Sequence, residues 1–293
     1  MRMRKILRAL SGFAASLLLC GGARADDLHV FWQVAGKHNT VYLLGSVHVL
    51  HANDHALPAV TDAAYADAEV LVEELDLYAA MGDMFGPEAL ALQFLPQGQG
   101  LSAVLGPELY DKLRAAAKPL GLDMDYISRM QPWYIASTIS SLRLLKAGYS
   151  PGDGVDFQFA ARAHRDEKPI VGLETAAEQL GFFASMPMAE QRKFLAATLE
   201  DSEGADELRE ITEAWRKGDL VALEAELKQG MEEEPELFEK IVLQRNRNWL
   251  PRLEQMLADP DQDYLVVTGA LHMIGPQGLV EQLRAKGYKI TRK

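Results

Sequence analysis

Two short turns in this 293-residue chain present a histidine in the same setting. Gly45-Ser46-Val47-His48 follows the apolar run Val41-Tyr42-Leu43-Leu44, and Gly269-Ala270-Leu271-His272 follows Val266-Val267-Thr268. A glycine just after a strand lets the chain turn sharply and lets another group come close, because it has no Cβ. The histidine three residues on can then point back across the sheet edge. Either turn alone is weak, and a satisfied structural histidine explains it as well. Two of them, each after a buried strand, are much harder to obtain by accident. Two further apolar runs end in acid: Leu71-Val72 leads into Glu73-Glu74-Leu75-Asp76, and Val171-Gly172-Leu173 into Glu174.

Two neutral imidazoles with one or two carboxylates form a nitrogen and oxygen donor set, suited to Mn, Fe, Co or Zn rather than to softer ions. A metal there would lower the pKa of a bound water and polarise a carbonyl. The same residues could work without metal, one histidine as general base and a glutamate orienting it. The spacing leaves both readings open. Other candidates are weaker. His51 and His55 follow in HVLHANDH and read as solvated loop residues. Asp156, just after a glycine-rich loop, is a candidate acid or a helix cap. Arg245 and Asn246 sit mid-helix, where Arg245 could pair with a site carboxylate or clamp an anion. Trp133 and Trp249 read as core. Ser46 is a conceivable nucleophile, but no G-x-S-x-G elbow supports it.

The elements that must hold these residues can be read in outline. Leu28 to Val34 and Thr40 to Leu44 form a hairpin around Gly36-Lys37-His38-Asn39. Pro58 to Ala68 is a short helix, and Glu69 to Leu77 a buried strand that turns acidic. Residues 79 to 150 are mostly helical, cut by Gly86-Pro87, Pro96-Gln97-Gly98, Gly106-Pro107 and Pro132. Val155 to His164 is a helix and Pro169 to Leu173 a strand. Acidic helices fill Thr175 to Gly230, and a further helix runs from Met231 to Leu257. Asp263 to Thr268 is a strand, Gly278 to Lys286 a helix and Tyr288 to Thr291 an edge strand. Strands separated by helices predict an α/β fold with a mostly parallel central sheet and helices on both faces. In such sheets ligands bind outside the C-terminal ends of the strands, where all four acidic or histidine-bearing segments lie.

The N-terminus has the layout of a secretory signal peptide. Arg2, Arg4, Lys5 and Arg8 precede the apolar run Ala9 to Leu19, and Ala23-Arg24-Ala25 offers a cleavage site. A rival use of Cys20 for lipid attachment fits poorly, since Leu19 stands where a small residue is wanted. Cleavage after Ala25 would remove the only cysteine and five basic residues, leaving 25 basic against 42 acidic side chains. The mature chain, residues 26–293, would have no disulfide and no thiolate ligand. Its charge would repel nucleic acid and anionic lipid. No later stretch is apolar for the roughly 20 residues a spanning helix needs. The expectation is a single domain in the periplasm or secreted, without integral membrane association.

The segments TVYLLGSVHVL, LVEELDL, GVDFQFAARA, KPIVGLETAAEQL, LQRNRNW and LVVTGALHMIGPQGLVEQLRAKGYKI occur in the order seen in the TraB/PrgY/GumN family. The chain resembles that family over nearly its whole mature length, and its exported bacterial GumN-like branch most closely. The resemblance implies a fold related to erythromycin-esterase-like and ChaN-like proteins, with a helical insertion. It also implies metal-dependent peptide hydrolysis of the kind performed by the animal TIKI members, which use manganese or cobalt. PrgY members, linked to blocking peptide pheromones, fit peptide hydrolysis or peptide capture. Carried onto this sequence, the metal residues are His48, Glu74 and His272. Asp156, Glu174, Arg245 and Asn246 match further recurrent positions; of these, Asp156 or Glu174 would serve as ligand or general base, and Arg245 would orient a carboxylate or stabilise developing negative charge. The leading expectation is an exported metal-dependent hydrolase acting on a peptide or other small extracytoplasmic substrate. The competing readings are a non-catalytic binding protein for peptide, haem or glycan, and a metal-free esterase with a histidine base.

Overall fold

The computed structural model describes residues 28–52, 54, 57–201 and 204–293. The expected signal segment 1–25 and His55 lie outside the described residues. Among the described residues eight strands are formed: β1 (Phe31–Ala35), β2 (Thr40–Ser46), β3 (Leu50–His51), β4 (Val70–Glu73), β5 (Tyr149–Ser150), β6 (Ile170–Gly172), β7 (Tyr264–Gly269) and β8 (Lys289–Arg292). Six of them build one sheet in the order β6-β4-β7-β2-β1-β8, and β3 pairs with β5 as a separate ribbon.

The fold is α/β, but the sheet is mixed rather than mostly parallel. β6, β4, β7 and β2 are parallel neighbours, whereas β1 runs against both β2 and β8. The cause is local. The turn at Gly36 to Asn39 is too short for a crossover, and a strand pair joined by so tight a turn can only be antiparallel. The four parallel strands are those that lead into His48, Glu74, Glu174 and His272, while Asp156, Arg245 and Asn246 stand on helices. Residues of β7, from Tyr264 to Gly269, are all buried, as expected of a central strand covered on both faces.

The acidic strand is shorter than its sequence suggests. β4 stops at Glu73, and Asp76 leaves the strand to cap the helix Leu77–Asp83 by accepting from the Tyr78 and Ala79 amides. Around the sheet, Val155–Arg165 packs on β4 and β6, Arg245–Ala258 on β2, and Leu279–Ala285 on β8. The main core spans both ends of the chain, from Val30 to Leu283. A second apolar core joins the helices Leu101–Ala117 and Pro132–Lys146 to Met188–Glu200, so the helical layer extends well past residue 150. His51 is not a solvated loop residue: its ring lies 4.0 Å from that of Tyr149 across the β3/β5 ribbon.

Candidate active site

Strand order brings the four ends together. β2 and β7 pair with Gly45 opposite Thr268 and Ser46 opposite Gly269, so the two glycine turns leave the sheet side by side. Glu73 of β4 faces Val267 on one side and Gly172 of β6 on the other. The pairing continues past the strands, since the Glu174 amide donates to the Glu74 carbonyl. Neither motif glycine has a positive φ; what each supplies is room. A Cβ on Gly45 would lie 2.6 Å from Val30 Cγ1 and 2.9 Å from Ala270 Cα. A Cβ on Gly269 would lie 3.1 Å from His48 Nε2 and 3.4 Å from Glu74 Oε1. The first glycine lets the two turns touch, and the second keeps a space open between the histidines and Glu74.

Around that space the three residues His48, Glu74 and His272 converge. The Nε2 atoms of His48 and His272 stand 3.7 and 3.8 Å from the same oxygen, Glu74 Oε1. Both imidazoles are held from behind. His48 Nδ1 is 2.8 Å from Asp156 Oδ2, and Ser46 Oγ donates to Asp156 Oδ1 at 2.6 Å. His272 Nδ1 is 2.7 Å from Asn246 Oδ1. The Asn246 amide nitrogen donates to the His272 and Gln277 carbonyls, so its oxygen is the acceptor and His272 carries its proton on Nδ1. Nε2 of His272 therefore offers a lone pair.

Arg245 ties the floor together. Its Nε donates to both oxygens of Glu174, at 3.0 and 3.1 Å. Nη2 donates to Glu174 Oε1 and to Glu74 Oε2, and Nη1 to the Ile241 carbonyl and His272 Nε2, the latter at 3.2 Å. All five N–H donors of the guanidinium are thus in use. A π-helical turn, Glu239–Gln244, sets Arg245 and Asn246 at the start of their helix; such turns often mark functional sites. Trp249 is more than core. Its ring centroid lies 4.5 Å from that of His272, and its Nε1 donates to Glu174 Oε2.

Charge follows from these contacts. Burial pushes the Glu74 carboxyl up, but Arg245, both histidines and the Gly269 amide together hold it well below the usual carboxylate range. Burial pulls His272 down to about 3, against the opposing pull of Glu74, so it is neutral. Asp156, and then Glu74, outweigh desolvation at His48 and raise it to about 10. The His48 side chain is 57% exposed to the cleft, whereas that of His272 is 6% exposed. One imidazole meets solvent and the other is sealed.

Nothing in the spacing singled out three further residues. Gln179 donates to Glu174 Oε1, and the Trp215 indole donates to the Gly45 carbonyl. Glu73, passed over beside its neighbour, is 1% exposed with neither carboxyl oxygen hydrogen-bonded. Burial above all, then Asp156, Asp76 and Glu74, raise it to about 9, so it is a neutral acid. The acidic doublet at the strand end was its only signal. Ser46 has no histidine to activate it, because its hydroxyl is committed to Asp156.

Once His48 gives up its Nε2 proton, which its raised pKa makes the step an ion must drive, the donor set would suit a metal: two Nε2 atoms and a carboxylate oxygen face one space, and both Nδ1 atoms are tied to acceptors. Two ligand atoms about 2.1 Å from one ion stand roughly 3.0–3.4 Å apart, somewhat closer than the 3.7 and 3.8 Å found. Among the described residues no group of three His, Cys, Asp or Glu side chains stands close enough together to hold a metal ion.

The chain is 24% identical to YbaP of Escherichia coli (strain K12), an uncharacterized protein, over 83% of this chain and 87% of that one. It is 24% identical to the metalloprotease TIKI2 of Xenopus tropicalis, over 92% of this chain and 61% of that one. An uncharacterized Treponema pallidum (strain Nichols) protein is 22% identical over 58% of this chain and 51% of its own. No solved structure matches. The model of the TraB/PrgY/gumN family matches residues 30–292, which hold both glycine–histidine turns, the acidic strand ends and the arginine helix; the chain belongs to that family.

Proposed function

We propose that the protein is an exported, metal-dependent hydrolase acting on peptide bonds. The observation that carries this is the placement of His48 Nε2 and His272 Nε2 about one oxygen of Glu74, in a space that Gly269 keeps clear. Export rests on the tripartite layout of residues 1–25. The family relationship adds support, because one similar protein is a metalloprotease. The fold relationship to erythromycin-esterase-like and ChaN-like proteins belongs to the same reading.

His48, Glu74 and His272 would hold the ion, with manganese or cobalt expected and zinc or iron also suited to the donors. When bound, it would supply a Lewis acid and a water of lowered pKa. The chain's own residues do the positioning. Asp156 holds a proton on His48 Nδ1 and turns Nε2 toward the cleft, where it would give up its own proton to bind an ion. Asn246 does the same for His272. Arg245 fixes the orientation of Glu74 and balances the charge of Glu74 and Glu174. The exposure of His48 gives a substrate access to one side of the space only.

The test is metal analysis of protein purified without chelator, with peptidase assays with and without added Mn or Co. Hydrolysis is expected to vanish in EDTA, to return with either metal, and to fall by at least about 100-fold in His48→Ala and Glu74→Gln. Full activity in EDTA, or in His48→Ala, would sink the proposal.

A second reading has one observation in its favour: Arg245 donates to Glu74, Glu174 and His272, so these side chains already have partners within the protein. A non-catalytic peptide-binding protein would need no more than that. A complex recovered intact after long incubation favours it, and turnover of the peptide excludes it.

A further inference from the structure

The cleft that exposes His48 has two unlike sides. His48, Glu73, Glu74, Asp156 and Gln179 form its polar floor, Gln179 being committed to Glu174, and the same cavity of about 320 Å³ has an apolar wall of Leu75, Leu77, Met81, Pro151 and Phe157. Its volume sits at the lower end of the roughly 300–1,000 Å³ usual for small-ligand clefts. It suits one or two residues of an extended substrate rather than a folded surface.

The wall is built to two purposes. Leu75 and Leu77 are anchored in a small cluster with Ala80 and Ala176. Met81 and Phe157, by contrast, are 56% and 36% exposed. Met81 lies on the short helix that Asp76 caps, and Phe157 directly follows Asp156, the residue that fixes His48. One turn of helix therefore sets the imidazole and the aromatic lip together. The wall carries no charged side chain, so a charged substrate group laid on it would lose water without gaining a partner.

We propose that this wall is a side-chain pocket selecting substrates with a bulky apolar residue next to the bond offered to His48, and rejecting an acidic residue there. The inference rests on the hydrolase reading for the word substrate, while the pocket itself is testable by binding alone. Methionine and phenylalanine suit such a role, since one adapts its shape and the other supplies a large rigid face.

The experiment uses the purified full chain and a set of short peptides differing at one position, Phe, Leu, Ser, Lys or Asp. Equilibrium binding and hydrolysis are measured separately for each. The Phe and Leu peptides are expected to bind at least about tenfold more tightly than the Asp peptide, the scale set by one well-filled apolar pocket. In a Met81→Ser/Phe157→Ser double variant, checked for fold by circular dichroism, that preference should drop below about threefold. Val221→Ser, at an 80% exposed apolar residue outside the cavity, should leave it unchanged. Equal binding of the Phe and Asp peptides overturns the inference, as does an unaltered preference in the double variant. Tightest binding of the Lys peptide, or no binding up to about 1 mM, overturns it too. Selective binding without cleavage would leave the pocket standing and remove the hydrolase reading. Cleavage indifferent to the varied residue would do the reverse.

Discussion

At the scale of single residues, Arg245 and Glu73 are opposite solutions to burial. Arg245 pairs with two carboxylates and spends every donor, so removing it strands Glu74 and Glu174. Breaking a buried pair of this kind costs about 3–5 kcal/mol. Arg245→Met is therefore expected to lower stability by about that amount in urea denaturation, and Arg245→Lys by less, because a lysine keeps the charge and loses the fork. Glu73 has no partner and stays neutral instead. Its folded pKa, raised to about 9, lies above its ordinary value of 4.5. Its contribution is fully present below about pH 4.5 and is lost as pH rises toward 9, because the unfolded chain gives up that proton first. Glu73→Gln should flatten the fall in stability between those values, measured by denaturation in chelator across the range. An identical pH profile for both proteins would show that Glu73 is ionised in the fold.

At the scale of elements, two glycines in matching turns do different work, and alanine separates them. At Gly45 the added Cβ meets Ala270 backbone at 2.9 Å as well as Val30, so the turns must part. Gly45→Ala is expected to cost about 1–3 kcal/mol, as overpacking does. At Gly269 the nearest atom is the end of the His48 side chain, which can yield. Gly269→Ala should change stability by less than about 1 kcal/mol, yet lower hydrolysis by about tenfold or more, because small misplacements at a site are costly. A thermal melt beside an activity assay decides both. Equal stability losses in the two variants would show that the turns play the same role.

At the scale of the molecule, one sheet serves as the frame on which four separate stretches of sequence meet. No helix among the described residues is long and apolar enough to cross a membrane. The only cysteine is Cys20, inside the expected signal segment. Stability must then come from the two apolar cores rather than from cross-links. The mature chain is expected to melt at the same temperature with and without reductant, followed by calorimetry. A shift of several degrees on reduction would reveal an intermolecular thiol link and an uncleaved N-terminus.

Much of the site was legible in the sequence because it sits at strand ends, where a glycine, a histidine or an acid interrupts an apolar run. His48, Glu74, Glu174 and His272 could be placed at one sheet edge from that punctuation, while the family resemblance separated Glu74 from Glu73. The one antiparallel insertion, β1, was visible as a hairpin but its effect on the whole sheet was not. The specific partnerships lay beyond reach, because they join residues from 26 to 171 positions apart that only the fold brings together. Only strand order decides that Asp156 stands behind His48, and that Arg245 spans Glu74 and Glu174. The same order leaves the Glu73 carboxyl with no hydrogen-bond partner among the described residues. The two glycine turns were recognisable as a pair from sequence. That one exists so the turns can touch, and the other so the histidines can face Glu74, follows only from distances in the folded chain.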